Sequence, residues 1–143
     1  MNPSSLESSM GGRVVYWGGR TLLWLVGIVM MLSGAANAFG FAPEQVVQSL
    51  QEVGILPWQR IIGVGALATG ALLMFRLTLP LGVLSASSFW GGAILTHMAK
   101  QESFVPPAVL LVFTWIGGLL LLVSLLRSSA SDPASSAPAE SVE

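Results

Sequence analysis

The sequence predicts an all-α, polytopic membrane protein, in which four transmembrane helices form an antiparallel bundle and a short amphipathic helix lies between the first two. The chain contains four apolar runs of roughly 18–22 residues, the length an α-helix needs to cross about 30 Å of hydrocarbon. Its composition is 53% hydrophobic and 9% charged, whereas soluble domains carry about 25% charged residues. Mean hydropathy is +0.75. The runs are Thr21–Phe41, Trp58–Phe75, Leu77–Thr96 and Val105–Leu126.

The chain divides into three parts on composition. Residues 1–20 form an N-terminal segment that we expect to be cytoplasmic and disordered, since its first twelve residues are rich in Ser, Gly and Asn. Residues 21–126 form the transmembrane domain. Residues 127–143 are mostly Ser, Ala and Pro and bury too little apolar surface to offset their ordering entropy, so we expect a disordered tail.

The first span admits a second interpretation. Arg13 and Arg20 precede an apolar stretch that ends near Ala36-Asn37-Ala38, the layout of a secretory signal with a cleavage site after Ala38. The apolar stretch continues to Phe41, however, and small residues near its end are also typical of packed membrane helices. We therefore expect the first span to remain uncleaved.

The segment between the first two spans, 42–57, has helical periodicity. Apolar residues alternate with Glu and Gln at helical spacing, Pro43 suits a first turn, and Gly54 and Pro57 end the element. We expect a short amphipathic helix that lies on the membrane surface or caps the bundle; a helix that docks a partner would have the same pattern.

The remaining connections are short. Only a few residues around Arg76 separate the second and third spans, so these must form a tight hairpin, with Pro80 in the first turn of the third. Basic residues favour both termini in the cytoplasm. Those on the side of the termini are Arg13, Arg20, Arg76 and Arg127, and those on the opposite side are Arg60 and Lys100.

Small residues recur at four-residue spacing, which lets membrane helices approach closely. One such pair is Ser88 and Gly92 in the third span. We expect Gly92 to lie at a helix interface and Leu121, in a leucine-rich run, to face lipid. Substituting Gly92 by Leu should then destabilise the protein more than substituting Leu121 by Ala.

Four residues near the outer ends of the spans are the candidate ligand-facing cluster: Asn37, Arg60, Trp90 and His97. In the predicted topology Asn37, Arg60 and His97 lie at similar depth, and Trp90 lies about two turns from His97 on the same helix face. His97 and Arg60 could hydrogen-bond the head of a quinone with Trp90 stacked beneath it. Alternatively, His97 bonds a carbonyl or Asn37, and Arg60 extends to lipid phosphate.

Several classes of chemistry are disfavoured. The chain has no cysteine and one histidine, so we expect neither thiolate chemistry nor a metal site. A net charge of −1 gives no basic face for nucleic acid. We find no catalytic residue pattern, and we expect no bound cofactor unless it is a quinone. The expected partners are the lipid bilayer and either another membrane protein or a second copy of this chain.

From Trp24 to about Leu122 the chain resembles the DoxX-like family of small bacterial four-helix membrane proteins. The most specific stretch is Gly91-Gly92-Ala93-Ile94-Leu95-Thr96-His97. The other matching residues are Leu32-Ser33-Gly34, Asn37, Phe39, Ile62-Gly63, Leu81-Gly82, Phe104-Val105-Pro106-Pro107 and Trp115.

This resemblance implies a four-helix fold in the bacterial cytoplasmic (inner) membrane. Some relatives are subunits of a thiosulfate:quinone oxidoreductase, and others are linked to redox or stress responses. This sequence departs from the pattern at two positions: Asn37 where many relatives carry Lys, and Ala66 where they carry Glu. The two changes together remove a helix–helix ion pair, and any activity that depends on that pair.

Two functional hypotheses follow. In the first, the protein is a non-catalytic membrane subunit or scaffold that packs against a partner through small-residue faces or the amphipathic segment. In the second, it is a quinone- or lipid-binding component of a membrane redox system that uses His97 and Arg60.

Overall fold

The computed structural model describes residues 3–130, and the surroundings of side chains within residues 11–127. This part of the chain is all-helical and contains no strand. A 3₁₀ turn, Leu56–Trp58, precedes the third helix. The α-helices are α1 Pro3–Phe39, α2 Glu44–Glu52, α3 Gln59–Met74, α4 Leu79–Ala99 and α5 Val105–Ala130.

Three helical segments are long and apolar enough to cross a membrane: Gly11–Phe39, Leu79–Ala99 and Val105–Arg127. By length and composition they make the chain a multi-pass membrane protein. Helix α3 is also apolar, but its 16 residues extend only about 24 Å. The sequence had predicted a longer span, Trp58–Phe75, whose first residue belongs to the 3₁₀ turn and whose last has extended backbone angles.

Helix α1 begins much earlier than the predicted span. It starts at Pro3, in a segment that composition had predicted to be disordered. Two contacts explain why helical structure precedes Thr21: Tyr16 packs on the hydrophobic core, and the backbone at Gly19 lies against Gly117 of α5. At the other end, α5 continues to Ala130, and the rest of the predicted tail lies outside the described residues.

Helices α1 and α3 pack with their backbones nearly in contact. A Cβ atom added at Gly34 would lie 2.7 Å from the carbonyl oxygen of Gly63, and one added at Gly70 would lie 2.7 Å from that of Gly27. No larger residue fits at such distances without separating the helices. This is the use of small residues by which membrane helices approach each other closely.

The four long helices contribute to one hydrophobic core, and α1 and α4 each contact both α3 and α5. Met30, for example, is fully buried on α1, and Leu73 is fully buried on α3. The buried apolar residues of the core are Leu23, Val26, Met30, Ala66, Leu73, Val83, Ala86, Trp90 and Leu121.

The expected packing roles of Gly92 and Leu121 were wrong. A Cβ atom at Gly92 would meet nothing within 4 Å, whereas Leu121 is only 4% exposed and belongs to the core. Helix α4 instead approaches α3 closely at Gly82, where a Cβ atom would lie 2.9 Å from the backbone of Leu72. The predicted order of destabilisation is therefore reversed.

Helix α2 lies where the sequence predicted a short helix. Its Glu and Gln side chains are exposed, Val46, Val47 and Leu50 are half-buried, and no residue of the helix is fully buried. Gly40 before it and Gly54 after it both have positive φ angles, +80° and +77°, which glycine adopts without strain. The chain therefore turns at a glycine before and after α2, an amphipathic helix that we call the cover.

Arg20 connects α1 to the end of α3 at the opposite end of the bundle. Its guanidinium donates a hydrogen bond to the carbonyl oxygen of Met74 at the end of α3 and lies 5.4 Å from the ring centre of Trp24. The last carbonyls of a helix lack intrahelical partners and carry partial negative charge, so an arginine there is favourable. Thr78 donates to the carbonyl oxygen of Leu72 at 2.8 Å and fixes the turn into α4.

Candidate functional site

A cavity of about 790 Å³ lies beneath α2, between α1, α3 and α4. Its volume is in the range of pockets that hold small organic molecules. Most of the accessible lining is apolar, and α1, α2 and α4 each also contribute polar side chains. The lining residues are Ser33, Asn37, Gln45, Val46, Ser49, Leu50, Ile55, Ile62, Ser88, Phe89, Trp90, Gly92, Ala93, Thr96, His97 and Glu102.

Three of the four residues predicted to face a ligand lie in this cavity: Asn37, Trp90 and His97. The fourth, Arg60, has an exposed side chain and is not part of the lining. Its neighbour Gln59 turns inward instead and donates a hydrogen bond to Asn37 Oδ1 at 3.3 Å. Adjacent residues on a helix point about 100° apart, so α3 directs Gln59 toward α1 and Arg60 away from it.

Asn37 has hydrogen-bond partners within the protein. Its side-chain amide donates to the carbonyl oxygen of Ser33 at 2.9 Å, and its Oδ1 accepts from Gln59. Asn37 therefore connects the end of α1 to the start of α3 through neutral hydrogen bonds.

Trp90 has no such partner. Its side chain is 7% exposed, and its indole Nε1 is buried without a hydrogen-bond acceptor among the described residues. The ring makes an edge-to-face contact with Phe89, with ring centres 5.2 Å apart. An unsatisfied buried donor costs about 1–3 kcal/mol, and this nitrogen has almost no surface of its own exposed to the cavity.

The hydroxyl groups near Trp90 are already engaged. Ser88 donates to the carbonyl oxygen of Leu84 at 3.2 Å, and Thr96 donates to that of Gly92 at 3.0 Å. Such bonds back to the preceding turn are the usual way for Ser and Thr to satisfy themselves within a helix. The hydrogens of both hydroxyls are therefore used within α4, and the indole N–H of Trp90 stays unpaired.

His97 lies at the rim. Its side chain is 37% exposed, but Nδ1 is buried and makes no well-aligned hydrogen bond within the described residues. The nearest carboxylate oxygen, Oε2 of Glu102, is 3.3 Å from Nδ1. His97 thus stands between the cavity and the charged groups above it.

Those charged groups form a latch between α2 and the turn after α4, a feature that sequence reasoning missed. Lys100 Nζ donates to Ser49 Oγ at 2.6 Å and to Glu102 Oε1 at 2.6 Å, and it lies 3.0 Å from Glu52 Oε2. These carboxylates raise the pKa of Lys100, and the hydrogen bond from Lys100 lowers the pKa of Glu102. The sequence does contain a signal for this latch. Lys100 and Glu52 carry opposite charges, and both lie in connections predicted to be on the side of the membrane opposite the termini.

The turn after α4 places Glu102 in the latch. Gln101 has a φ of 57°, the N–H of Gln101 bonds the carbonyl of Met98, and the N–H of Glu102 bonds the carbonyl of His97. This is the Schellman arrangement, which reverses the chain at a helix C-terminus and is usually made by glycine. It returns the Glu102 side chain to the level of His97.

Taken together, the cavity has a largely apolar lining that includes the Trp90 ring, a histidine at its rim and an ion-paired cover. The chain matches no protein-family model, no curated protein and no solved structure.

Proposed function

We propose that this multi-pass membrane protein binds a lipid-soluble ligand, a quinone or a lipid, in the cavity beneath α2. The observation that carries the proposal is a cavity of about 790 Å³ whose lining is mostly apolar and includes the ring residues Phe89 and Trp90. Apolar walls suit a hydrocarbon or ring system, and the polar side chains of Asn37 and His97 in the lining suit its polar head. On this proposal the protein is a binding component and not itself a catalyst.

We further propose that four helices cross the bacterial cytoplasmic membrane, with both termini in the cytoplasm. The glycine contacts support an antiparallel α1–α3 pair, because Gly27 meets Gly70 and Gly34, later in α1, meets Gly63, earlier in α3. The 3₁₀ turn ahead of α3 adds to its length. The resemblance to DoxX-like proteins supports the location, and the distribution of arginine supports the orientation.

The test is photolabelling of the purified protein in mild detergent with a photoreactive quinone. Gly92 lines the cavity and has open space around it, so Gly92→Leu should place a bulky side chain in the cavity beside Trp90 and His97 without disturbing a helix contact. The control is Gly65→Leu, at a glycine that also has open space but is not part of the lining. We expect labelling near Trp90–His97 that is lost in Gly92→Leu and kept in Gly65→Leu. Equal labelling of both variants would refute the proposal.

A scaffold role is the second candidate, and one observation favours it. Gly91 also has nothing within 4 Å of an added Cβ atom, yet it is not a lining residue. A partner helix has room to pack there. The scaffold hypothesis predicts that Gly91→Leu abolishes co-purification of a membrane protein while quinone labelling persists; co-purification unaffected by this change would count against it.

A further inference from the structure

We propose that the end of the bundle opposite the cavity binds the phosphate group of an anionic phospholipid. The site consists of alternating arginine and tryptophan on α1 and one arginine in the turn between α3 and α4. We call this set the arginine–tryptophan face, and its residues are Arg13, Trp17, Arg20, Trp24 and Arg76. The cavity lining includes none of these described residues, so the proposal is independent of the ligand site above.

The four residues of α1 lie along one side of the helix. They are separated by four, three and four residues, and with 3.6 residues per turn this spacing keeps them within about 60° of arc. Trp17 and Trp24 are exposed, and the guanidinium of Arg20 lies 5.4 Å from the ring centre of Trp24. Arginine and tryptophan therefore alternate over about 17 Å of one helix side.

Arg20 brings this side of α1 to the turn between α3 and α4. Its guanidinium donates a hydrogen bond to the carbonyl oxygen of Met74, the last residue of α3. Arg76 follows Met74 by two residues, a distance of roughly 7 Å or less between Cα atoms. Its side chain is exposed and makes no hydrogen bond or ion pair with a described residue. A phosphate bound beside Arg20 is therefore within reach of Arg76.

The guanidinium of Arg20 has hydrogen-bond donors to spare. A guanidinium carries five N–H groups, and the bond to Met74 is the one that Arg20 makes within the described residues. A phosphate accepts two parallel N–H bonds from one arginine, and such charge-assisted bonds are stronger than those between neutral groups. Because Met74 and Trp24 already hold Arg20 in place, binding costs it little side-chain freedom.

The acidic side chains that the structure describes lie at the other end of the molecule, in or beside the cover: Glu44, Glu52 and Glu102. Glu7 is six residues before Arg13 and thirteen before Arg20, about 9 Å and 20 Å along α1. The acidic residues of the tail lie outside the described residues: Asp132, Glu140 and Glu143. The described part of the arginine–tryptophan face is therefore positively charged, and an anionic head group would neutralise it.

The depth of this face favours a lipid as the source of the phosphate. Helix α4 is long and apolar enough to cross a membrane, and it begins at Leu79, directly after the turn that contains Arg76. Its first turn therefore lies near the edge of the hydrocarbon layer, the level at which tryptophan is enriched in membrane proteins. Trp24 lies one turn deeper than Arg20, where it can contact the acyl chains of the same lipid.

The test is native mass spectrometry of the full-length protein, purified in neutral detergent and mixed with equal amounts of phosphatidylglycerol and phosphatidylcholine of identical acyl chains. We expect the protein to retain the anionic lipid in preference to the zwitterionic one. Arg76→Gln should weaken retention of phosphatidylglycerol about fivefold, the worth of one arginine near an anionic lipid. Since Arg76 has no partner among the described residues, this change leaves the fold intact.

The matched control is Arg60→Gln, at an exposed arginine near the opposite end of α3. It should leave retention of phosphatidylglycerol unchanged. Equal retention of the two lipids by the unaltered protein, or equal retention of phosphatidylglycerol by Arg76→Gln and Arg60→Gln, would overturn the proposal.

A second arm distinguishes a lipid from a free phosphate ion. Inorganic phosphate, compared with sodium chloride at the same ionic strength, should not displace phosphatidylglycerol, because the ion has no acyl chains to contact Trp24. Displacement by inorganic phosphate would show that the arginine–tryptophan face binds the ion, and it would overturn the assignment to a lipid.

Discussion

Replacing Gly63 by alanine tests whether the contact of glycine backbones holds α1 to α3. The new Cβ atom would lie 2.5 Å from the backbone nitrogen of Ala38 and 2.8 Å from the carbonyl oxygen of Gly34. Ordinary contacts begin near 3.4 Å, so the helices must separate by close to an ångström. Because both neighbours are backbone atoms of a helix, no side chain can move aside to absorb the clash.

The magnitude is isolated by a control two residues away. Gly65→Ala adds the same methyl group to the same helix where nothing lies within 4 Å. Both variants gain the helix preference of alanine over glycine, about 1 kcal/mol. The difference between their free energies of unfolding is therefore the overpacking cost alone, about 1–3 kcal/mol.

The assay is reversible unfolding of the purified protein by titrating denaturing detergent into mild detergent micelles. We expect Gly65→Ala to match or exceed the unaltered protein and Gly63→Ala to unfold at a lower denaturant fraction. Equal midpoints for the two variants would show that α1 and α3 are not packed through Gly63.

Three further predictions concern the core, the latch and the topology. Leu121→Ala should lower the free energy of unfolding by about 2–5 kcal/mol in the same assay, since it opens a cavity in the core; Leu122→Ala, at an exposed position, is the control, and equal effects would contradict the burial of Leu121. The hydrogen bond from Lys100 lowers the pKa of Glu102, so the latch is intact above the ordinary pKa of a glutamate and is lost as the pH falls through the lowered value. Protection of the α2 amides from hydrogen exchange, corrected for the intrinsic pH dependence of exchange, should fall as the pH drops below the ordinary pKa of a glutamate. Glu102→Gln should reduce that acid step, and an identical step in the variant would refute the prediction. A reporter active only in the periplasm and fused after Glu143 should be silent, because basic residues concentrate on the side predicted to hold both termini; an active fusion would reverse the orientation.

The parts of the fold that the sequence predicts are those with a local signal. Helix α2 follows from its alternating apolar and polar residues, and the contact between α3 and α4 follows from the short connection around Arg76. Helix boundaries at prolines also agree, since Pro80 and Pro106 each lie in a first turn. Each of these depends on residues that are close together in the chain.

Burial in α4 and α5 was not predictable in the same way. Both helices are apolar on nearly every side, because a membrane helix meets either lipid or protein and both are nonpolar. Leu121 and Leu122 are therefore equivalent in sequence and opposite in burial, at 4% and 51% exposed. The free space beside Gly92 is likewise set by where the neighbouring helices lie and not by the glycine itself.

For the same reason, the positions of only three of the four candidate residues could be predicted, and their role in binding stays a prediction. Placing Asn37, Trp90 and His97 together required only helix direction and depth. Predicting that Gln59 and not Arg60 points toward Asn37 required knowledge of how α3 is rotated about its own axis. The sequence of a short apolar helix does not indicate that rotation. Predicting the latch required the left-handed backbone conformation of Gln101. Glutamine does not indicate that conformation, because glycine is the residue that usually adopts it.

The contrast between the glycine-packed α1–α3 pair and the lightly held α2 bears on how a ligand would be exchanged. The wall formed by α1 and α3 is held by contacts between glycine backbones. The cover has no buried residue, is flanked by two glycine turns and is tethered by Lys100. Exchange can therefore proceed by a local opening of the cover that is far smaller in free energy than unfolding. Breaking the polar latch would then shorten residence in the cavity while the α1–α3 contacts stay in place.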